Sequence, residues 1–289
     1  MAAQIITGST VKKGDRPLCV GVDVGGTWIR VSASGGRRPE TTTVTRADRD
    51  LRRLAPLLRT MWRRRGWRPG RVAALVVASR AIWTVPECRA LARRLTGLAQ
   101  RVRVVADAQA ALLGALGDRP GVLVLAGTGS IVIGYDGGRR WARAGGLGPL
   151  LGDEGSAFWL GREWLRVRAA EGGLRTVLGA AHAPDAVARV AAWAPQVLRR
   201  ARHGDGAARA IARAGQAALA AQAGAVARQL GLRRPVAMSW AGSVLDDAWF
   251  RAGLARAVGR AGLPARWLPP AVPPVTAARR LAERLGERA

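Results

Sequence analysis

Apolar residues recur along this chain in two periods, and the order in which those periods alternate predicts its layout. Leu18-Cys19-Val20-Gly21-Val22 is a short continuous apolar run of the kind a buried strand makes. Asp23-Val24-Gly25-Gly26-Thr27 interrupts it, and Trp28 to Ala33 resumes as a second strand, so the pair reads as a hairpin with a Gly-Gly tip. After a turn at Gly35-Gly36, Thr41 to Thr45 predicts a third strand. The period then changes. From Arg46 to Arg65, Leu51, Leu54, Leu57 and Leu58 fall at helical spacing among arginines, an amphipathic helix in which Pro56 predicts a kink. Val72 to Ala78 predicts a fully apolar strand, Pro86 to Leu98 a second helix and Val102 to Val105 a fifth strand. Ala106-Asp107-Ala108 then opens an alanine-rich helix through Leu116. The order β-β-β-α-β-α, with short connections, is one α/β unit.

A second alternation follows. Val122 to Ala126 and Ile131 to Tyr135 predict a strand pair around Gly127-Thr128-Gly129-Ser130, and Asp136-Gly137-Gly138 another hairpin turn. Phe158, Trp159, Leu160, Trp164 and Leu165 begin a helical pattern, and from Trp164 to Leu230 the chain is alanine-rich with arginines on the helix faces. Gly172-Gly173, Ala183-Pro184, Ala194-Pro195 and His203-Gly204-Asp205-Gly206 divide this stretch into about four helices, Ala207 to Leu230 being the longest. Pro235 to Ser239 predicts a strand, Asp246 to Ala261 a helix with Asp246-Asp247 in its first turn, and Ala265 to Leu268 a last strand. Thr276 to Leu285 predicts a terminal helix that packs back across the domains. The resulting organisation is a disordered lead-in over residues 1–16, a first lobe over 17–108, a helix-rich second lobe over 109–272, and a terminal helical segment over 273–289. No internal sequence repeat is visible.

Composition narrows the class. At 289 residues, 49% of them hydrophobic, the chain is long enough for about two domains with cores of their own. The charge is lopsided, 47 Lys+Arg against 19 Asp+Glu for a net +28. Nearly all of it is arginine, since the only lysines are Lys12 and Lys13, and asparagine is absent. A skew that runs through every helix reads as residue usage across the whole chain and not as a basic patch shaped for one ligand. It still predicts non-specific nucleic-acid affinity at low salt, Arg63-Arg64-Arg65 beside Trp62 and Trp67 being the densest cluster. No recognised nucleic-acid-binding motif accompanies it. Cys19 and Cys88 lie far apart without CxxC spacing and signal neither a zinc site nor a disulfide framework. No apolar run approaches the ~18 residues of a membrane span, and the N-terminus lacks an apolar signal core; a cytoplasmic protein with no membrane partner is expected.

Candidate chemistry gathers at glycine-rich turns. Glycines flanking a hydroxyl residue let the backbone approach a ligand and aim N–H groups at it, as at Gly25-Gly26-Thr27 and again at Gly127-Thr128-Gly129-Ser130. Asp23, at a strand end, is placed to hold Mg²⁺ through water, because that ion keeps several waters and takes one or two carboxylates. Asp107, at the carboxyl end of the fifth strand, stands where an open α/β sheet carries its chemistry; the plainer reading is an N-cap, and one residue can serve both. Gly145-Gly146-Leu147-Gly148 and Gly152-Asp153-Glu154-Gly155-Ser156 bring two adjacent carboxylates to a glycine-rich loop at a helix start, where free N–H groups favour negative charge.

DVGGT at 23–27, GTGS at 127–130 and RWARAGGLGPLLGDEGSAFWLGRE at 140–163 together resemble the N-acetylglucosamine kinase-like branch of the actin-like ATPase and sugar kinase superfamily, grouped with the BadF/BadG/BcrA/BcrD ATPases. The resemblance implies an α/β, two-lobed actin-like (ribonuclease H-like) sugar kinase fold that uses ATP and Mg²⁺ to phosphorylate an amino sugar, and it allows a homodimer. It implies that Gly25, Gly26 and Thr27 with Gly127, Thr128 and Gly129 form a phosphate clamp, one half from each lobe, with Asp23 organising the metal. Asp107 is then the base that accepts the sugar hydroxyl's proton. Ser130, Gly145, Gly146, Asp153 and Glu154 join Asp107 on the sugar side, and Gly242 and Ser243 lie toward the adenosine.

The chain departs from the pattern in two places. Relatives usually carry a glycine–alanine turn where this chain has Ala78-Ser79-Arg80-Ala81, and the asparagine that contacts sugar after the third strand has no counterpart in Thr41 to Asp48. These departures keep a non-catalytic sugar sensor open as a competing reading. An activator-type ATPase of the same superfamily would hold an iron–sulfur cluster through cysteines in glycine-rich loops, a placement that neither Cys19, within a strand, nor Cys88, beside a helix start, meets.

Overall fold

The computed structural model describes residues 17–25, 28–35, 51–80 and 82–287, and residues 40–46 by backbone alone. The lead-in over 1–16 and the hairpin-tip residues Gly26 and Thr27 lie outside the described residues. By backbone contacts the chain separates into two compact units, Met1–Ala110 with Val275–Ala289, and Ala111–Pro274. No helix among the described residues is long and apolar enough to cross a membrane.

The first unit is built on β1 (Leu18–Val24), β2 (Trp28–Ser34), β3 (Glu40–Arg46), α1 (Leu54–Arg64), β4 (Val72–Ser79), α2 (Val85–Arg94), β5 (Arg101–Ala106) and the start of α3 (Asp107–Leu116). Its sheet has the order β3-β2-β1-β4-β5. β1, β2 and β3 pair antiparallel, whereas β1, β4 and β5 run parallel. β1 and β4 are apolar almost throughout because both faces are covered, while the edge strand β5 carries Arg101 and Arg103 in its first half. Val20, Val22, Leu75 and Val77 pack with Leu58, Trp62 and Leu91 of α1 and α2. Cys19, Ala74, Val76 and Ala78, small by comparison, pack on the other face with Ala278 and Ala282 of the terminal helix.

The first helix differs from its prediction. A 3-10 turn over Leu51–Arg53 precedes it and the α-helix begins at Leu54, so Pro56 lies in the first turn, where its missing N–H has no intrahelical acceptor to lose. The residue read as a kink marks a start. At α2, Thr84 supplies the cap: its hydroxyl accepts the Glu87 N–H at 3.3 Å and Glu87 accepts the Thr84 N–H at 2.7 Å.

The second unit continues with β6 (Gly121–Ala126), β7 (Ser130–Tyr135), β8 (Trp141–Gly145), the short α4 (Gly148–Leu151), α5 (Ala157–Ala170), α6 (Leu174–Ala181), α7 (Ala186–Ala191), α8 (Ala194–Arg202) and α9 (Gly206–Leu230). After these come β9 (Val236–Ala241), the short α10 (Ser243–Asp246), α11 (Ala248–Arg260) and β10 (Ala265–Trp267), while α12 (Pro274–Glu287) returns to the first unit. The sheet order is β10-β9-β6-β7-β8. Asp247 caps α11, accepting the Phe250 N–H at 3.0 Å, and so sits ahead of the first turn in which it was expected. The sequence did not single out β8. Its residues WARAG mix arginine with small side chains, a pattern an edge strand tolerates because only one side is paired.

α9 supplies the middle of this core. Ile211, Ala212, Leu219, Ala223, Val226 and Leu230 form its buried stripe, packed with Val124 and Val132 of the sheet and with Phe250 and Leu254 of α11.

In the first unit the tightest approach is at Gly21, where any Cβ would collide with the Arg279 backbone of α12. Gly21→Ala is expected to destabilise the protein by about 1–3 kcal/mol in urea unfolding, whereas Gly70→Ala, with no atom near the added carbon, is expected to stay within about 0.5 kcal/mol.

Candidate active site

β1, β4 and β5 end together at one edge of the first sheet, because the register pairs Asp23 with Ala78 and Ala78 with Val105. Adjacent strands lie ~4.8 Å apart, so the ends of β1 and β5 are separated by roughly 10 Å of backbone. Two carboxylates occupy this edge. Asp23 is buried, with Arg30 of β2 beside it, Nη1 to Oδ2 at 3.8 Å, and that guanidinium is about half in solvent. Asp107 is the first residue of α3, and its Oδ1 accepts the Ala108 N–H at 2.7 Å. Gln109 returns the favour to the strand, accepting the Ala106 N–H at 3.2 Å.

Both carboxyls titrate above their ordinary range. Burial pushes Asp23 up to about 6, the negative charge of Asp107 adds to the rise and Arg30 opposes it. Burial also raises Asp107, against the Ala108 N–H and the Arg80 guanidinium. Arg80 follows the end of β4, between the two acids, its N–H bonded to Val24 O at 3.3 Å. The departure from the family at 78–81 thus brings a cation to the edge that carries both candidate acids.

In the second unit the turn after β6 is tied to the helix beyond it. Gly127 and Thr128 carbonyls accept the Ala157 and Phe158 N–H groups at 2.8 and 3.1 Å, and Ser156 Oγ accepts the Trp159 N–H at 3.1 Å. Three otherwise orphaned donors of α5 are thereby satisfied. The N–H groups of Thr128 and Gly129 donate to no backbone carbonyl among the described residues.

The acidic pair lies ahead of the cap of α5, in the turn before the helix and not in its first turn. Asp153 is buried and takes a left-handed backbone, φ 62°, the one non-glycine to do so among the described residues. An aspartate adopts that conformation at modest cost. Burial raises its carboxyl, the nearby Ser130 and Gly148 N–H groups oppose the rise, and the charge of Glu154 adds to it. Gly129 must be glycine here, since a Cβ would sit 2.6 Å from Asp153 Oδ2. Ser130 closes the loop on itself: its carbonyl accepts the Gly146 N–H at 3.0 Å and its hydroxyl donates to Glu154 O at 2.8 Å. Gln222 of α9, which sequence reasoning passed over as one more polar helix residue, donates from Nε2 to Glu154 Oε2 at 3.2 Å.

Gly242 and Ser243 join this group because β9 runs parallel beside β6, with Leu125 opposite Ala241. Gly242, at φ 96°, lies so close to Ala126 and Gly127 that a side chain there would strike their backbone. The second unit thus gathers Gly127, Thr128, Gly129, Ser130, Gly145, Gly146, Asp153, Glu154, Gly242 and Ser243 around the carboxyl ends of β6 and β9. The first gathers Asp23, Gly25 and Asp107 at the ends of β1 and β5, with Gly25 N–H bonded to Trp28 O at 3.0 Å.

Residues 20–264 match the BadF/BadG/BcrA/BcrD ATPase family. An N-acetylmuramic acid/N-acetylglucosamine kinase of Clostridium acetobutylicum is 44% identical over 68 residues, 24% of this chain and 22% of that protein, so the match spans about a fifth of the relative's length. Among solved structures, a protein of Porphyromonas gingivalis assigned as an N-acetylglucosamine kinase has a TM-score of 0.69 at 20% identity, over 92% of this chain and 99% of the other. A protein of Chromobacterium violaceum with the same assignment has a TM-score of 0.64 at 24% identity, over 92% and 99%. The fold is the two-lobed actin-like fold of the sugar kinases. With 20–264 matched from the first strand of one unit to the last helix of the other, the chain belongs to the BadF/BadG/BcrA/BcrD ATPase family.

Proposed function

We propose that the protein transfers the γ-phosphoryl group of ATP to a hydroxyl of an amino sugar of the N-acetylglucosamine or glucosamine type. The observation that carries this reading is the pair of raised carboxylates at the ends of β1 and β5, Asp23, which is buried, and Asp107, which is half-buried. Phosphoryl transfer asks for phosphates held by N–H donors and a metal, and for a base beside the acceptor hydroxyl. A base titrating above the ordinary carboxylate range is better matched to a hydroxyl proton than an exposed aspartate. Asp107 has this property, and its Ala108 hydrogen bond uses Oδ1 and leaves Oδ2 for the substrate.

Asp23 fits Mg²⁺: it is a hard carboxylate destabilised by burial and by a neighbouring acid, and the arginine paired with it at 3.8 Å is half in solvent. Mg²⁺ held there, largely through water, would supply charge neutralisation on the ATP phosphates. In the second unit the N–H groups of Thr128 and Gly129, beside Gly127, are the donors assigned to those phosphates; the turn of Gly25, Gly26 and Thr27 is assigned to them by the resemblance, its last two residues lying outside the described ones. Gly242 and Ser243, packed on the second turn, take the adenosine side. Asp153 and Glu154 accept hydroxyl hydrogens of the sugar, with Ser130, Gly145 and Gly146 shaping the loop that carries them.

The direct test is ADP release from Mg-ATP against N-acetylglucosamine, glucosamine, N-acetylmuramic acid and glucose, after removal of nucleic acid. Sugar-dependent turnover is expected with at least one amino sugar; sugar-independent ATP hydrolysis alone would overturn the reading. Asp107→Asn is expected to lower kcat by about 10²–10⁴. In the wild type, kcat/KM is expected to rise with pH through a range above that of an ordinary carboxylate and then level, since the base works ionised.

Asp23 generates a prediction of opposite sign for stability. Its carboxyl, raised from 3.8 to about 6, binds more protons folded than unfolded between those values. The stability it contributes is full below the lower value and is lost as pH rises through the upper. Asp23→Asn is therefore expected to stabilise the metal-free protein at pH 7, by up to about 3 kcal/mol in urea unfolding, while losing Mg²⁺-dependent turnover.

Asp153→Asn keeps a residue that tolerates the left-handed backbone. It is expected to raise the sugar KM by roughly 10-fold or more with little change in the KM for ATP.

A further inference from the structure

Gln222 is half-buried at the margin of the buried stripe of α9, one turn from Leu219 and Val226. Another glutamine on this helix, Gln216, donates to a backbone carbonyl, Phe250 O at 3.1 Å, and ties α9 to α11. Gln222 is used differently. Its Nε2 reaches a carboxylate, Glu154 Oε2 at 3.2 Å, and its buried Oε1 has no donor among the described residues. An amide turned the other way would set its oxygen against that carboxylate, so the donor is on the correct side.

The backbone of Glu154 is already fixed without Gln222. Ser130 Oγ holds the Glu154 carbonyl at 2.8 Å, and the Asp153 carbonyl accepts the Ser156 N–H at 3.0 Å. The Glu154 side chain, half-buried, has one partner among the described residues, Gln222, and its Oε1 accepts no hydrogen bond from any of them. The loop beside it permits the contact only because residue 145 is glycine: a Cβ there would sit 2.7 Å from Gln222 Oε1.

We infer that Gln222 is a positioning residue for the acceptor sugar, holding the Glu154 carboxylate so that Oε1 faces the sugar hydroxyl. The inference rests on the kinase reading above. A charge-assisted hydrogen bond is the strong kind and, made to one oxygen, orients the other. Gln222 thus acts on sugar recognition through Glu154 and has no part in ATP binding.

The test measures N-acetylglucosamine binding by calorimetry without ATP, together with sugar and ATP KM, kcat and Tm, for the wild type, Gln222→Met, Glu154→Gln and the double variant. Methionine keeps the length and removes the donor. Gln222→Met is expected to weaken sugar binding and raise the sugar KM by about 10-fold, with kcat and the ATP KM within about twofold and Tm unchanged. Because Gln222 acts through Glu154, the double variant is expected to bind sugar no worse than Glu154→Gln alone. Losses that add in the double variant, an unchanged sugar affinity in Gln222→Met, or a loss that follows Tm and the ATP KM would each overturn the role. A wild type that binds no sugar and shows no sugar-dependent turnover would overturn the kinase reading and this role together; an active wild type beside an unaffected Gln222→Met would overturn the role alone.

Discussion

Three parallel strands held in register, β1, β4 and β5, bring their carboxyl ends to one edge of the first sheet, and the chemistry of that unit follows from this alignment. β1 and β4 are covered on both faces, so the polar groups they carry emerge only where they end. Asp23 is therefore buried and Asp107 half-buried at one edge, and loss of hydration is the main reason both hold protons more tightly than an exposed aspartate would, the charge of Asp107 adding to the rise at Asp23. The arrangement is costly to the fold in the absence of a cation. Sites that store such costs are where binding energy finds something to relieve.

The same constraint operates twice. Read from its antiparallel end, the first sheet is β3-β2-β1-β4-β5 and the second β8-β7-β6-β9-β10, an identical path through five strands. In each, a three-strand meander is followed by two strands parallel to its first member. The connection between the meander and the fourth strand is one helix, α1, in the first unit and the series α4 to α9 in the second. No repeat is visible in the sequence, because a sheet of this topology asks only for apolar strands and small turns, which many residue choices satisfy.

The loop after β8 shows how a short segment is made rigid with little side-chain mass. Ser130 engages it through its carbonyl and its hydroxyl, and the Asp153 carbonyl closes it by accepting the Ser156 N–H. Gly129, Gly145 and Gly155 are places where a single carbon would strike Asp153, Gln222 or Leu219. Glycine at these positions is a packing requirement, and it lets carboxylates be held without a surrounding shell of bulky residues.

The sequence by itself determined the two α/β units, the places of nine of the ten strands, the long helix α9 and the glycine turns, because period, apolar runs and glycine pairs are local properties of the chain. It also carried the family through DVGGT, GTGS and the 140–163 segment. Pro56 was legible as a discontinuity but not as a helix start, since its meaning depends on where the preceding turn begins. Edge strand β8 was hidden, its residues being shaped by one neighbour only. The tertiary structure alone decided which polar groups meet. That β9 runs beside β6 and sets Gly242 on Gly127, that β4 carries Arg80 between two acids, and that Gln222 reaches Glu154 from 68 residues away are consequences of strand order and helix packing. No local pattern encodes them, because hydrogen bonds and charges act through space between segments that the chain brings together only when it folds.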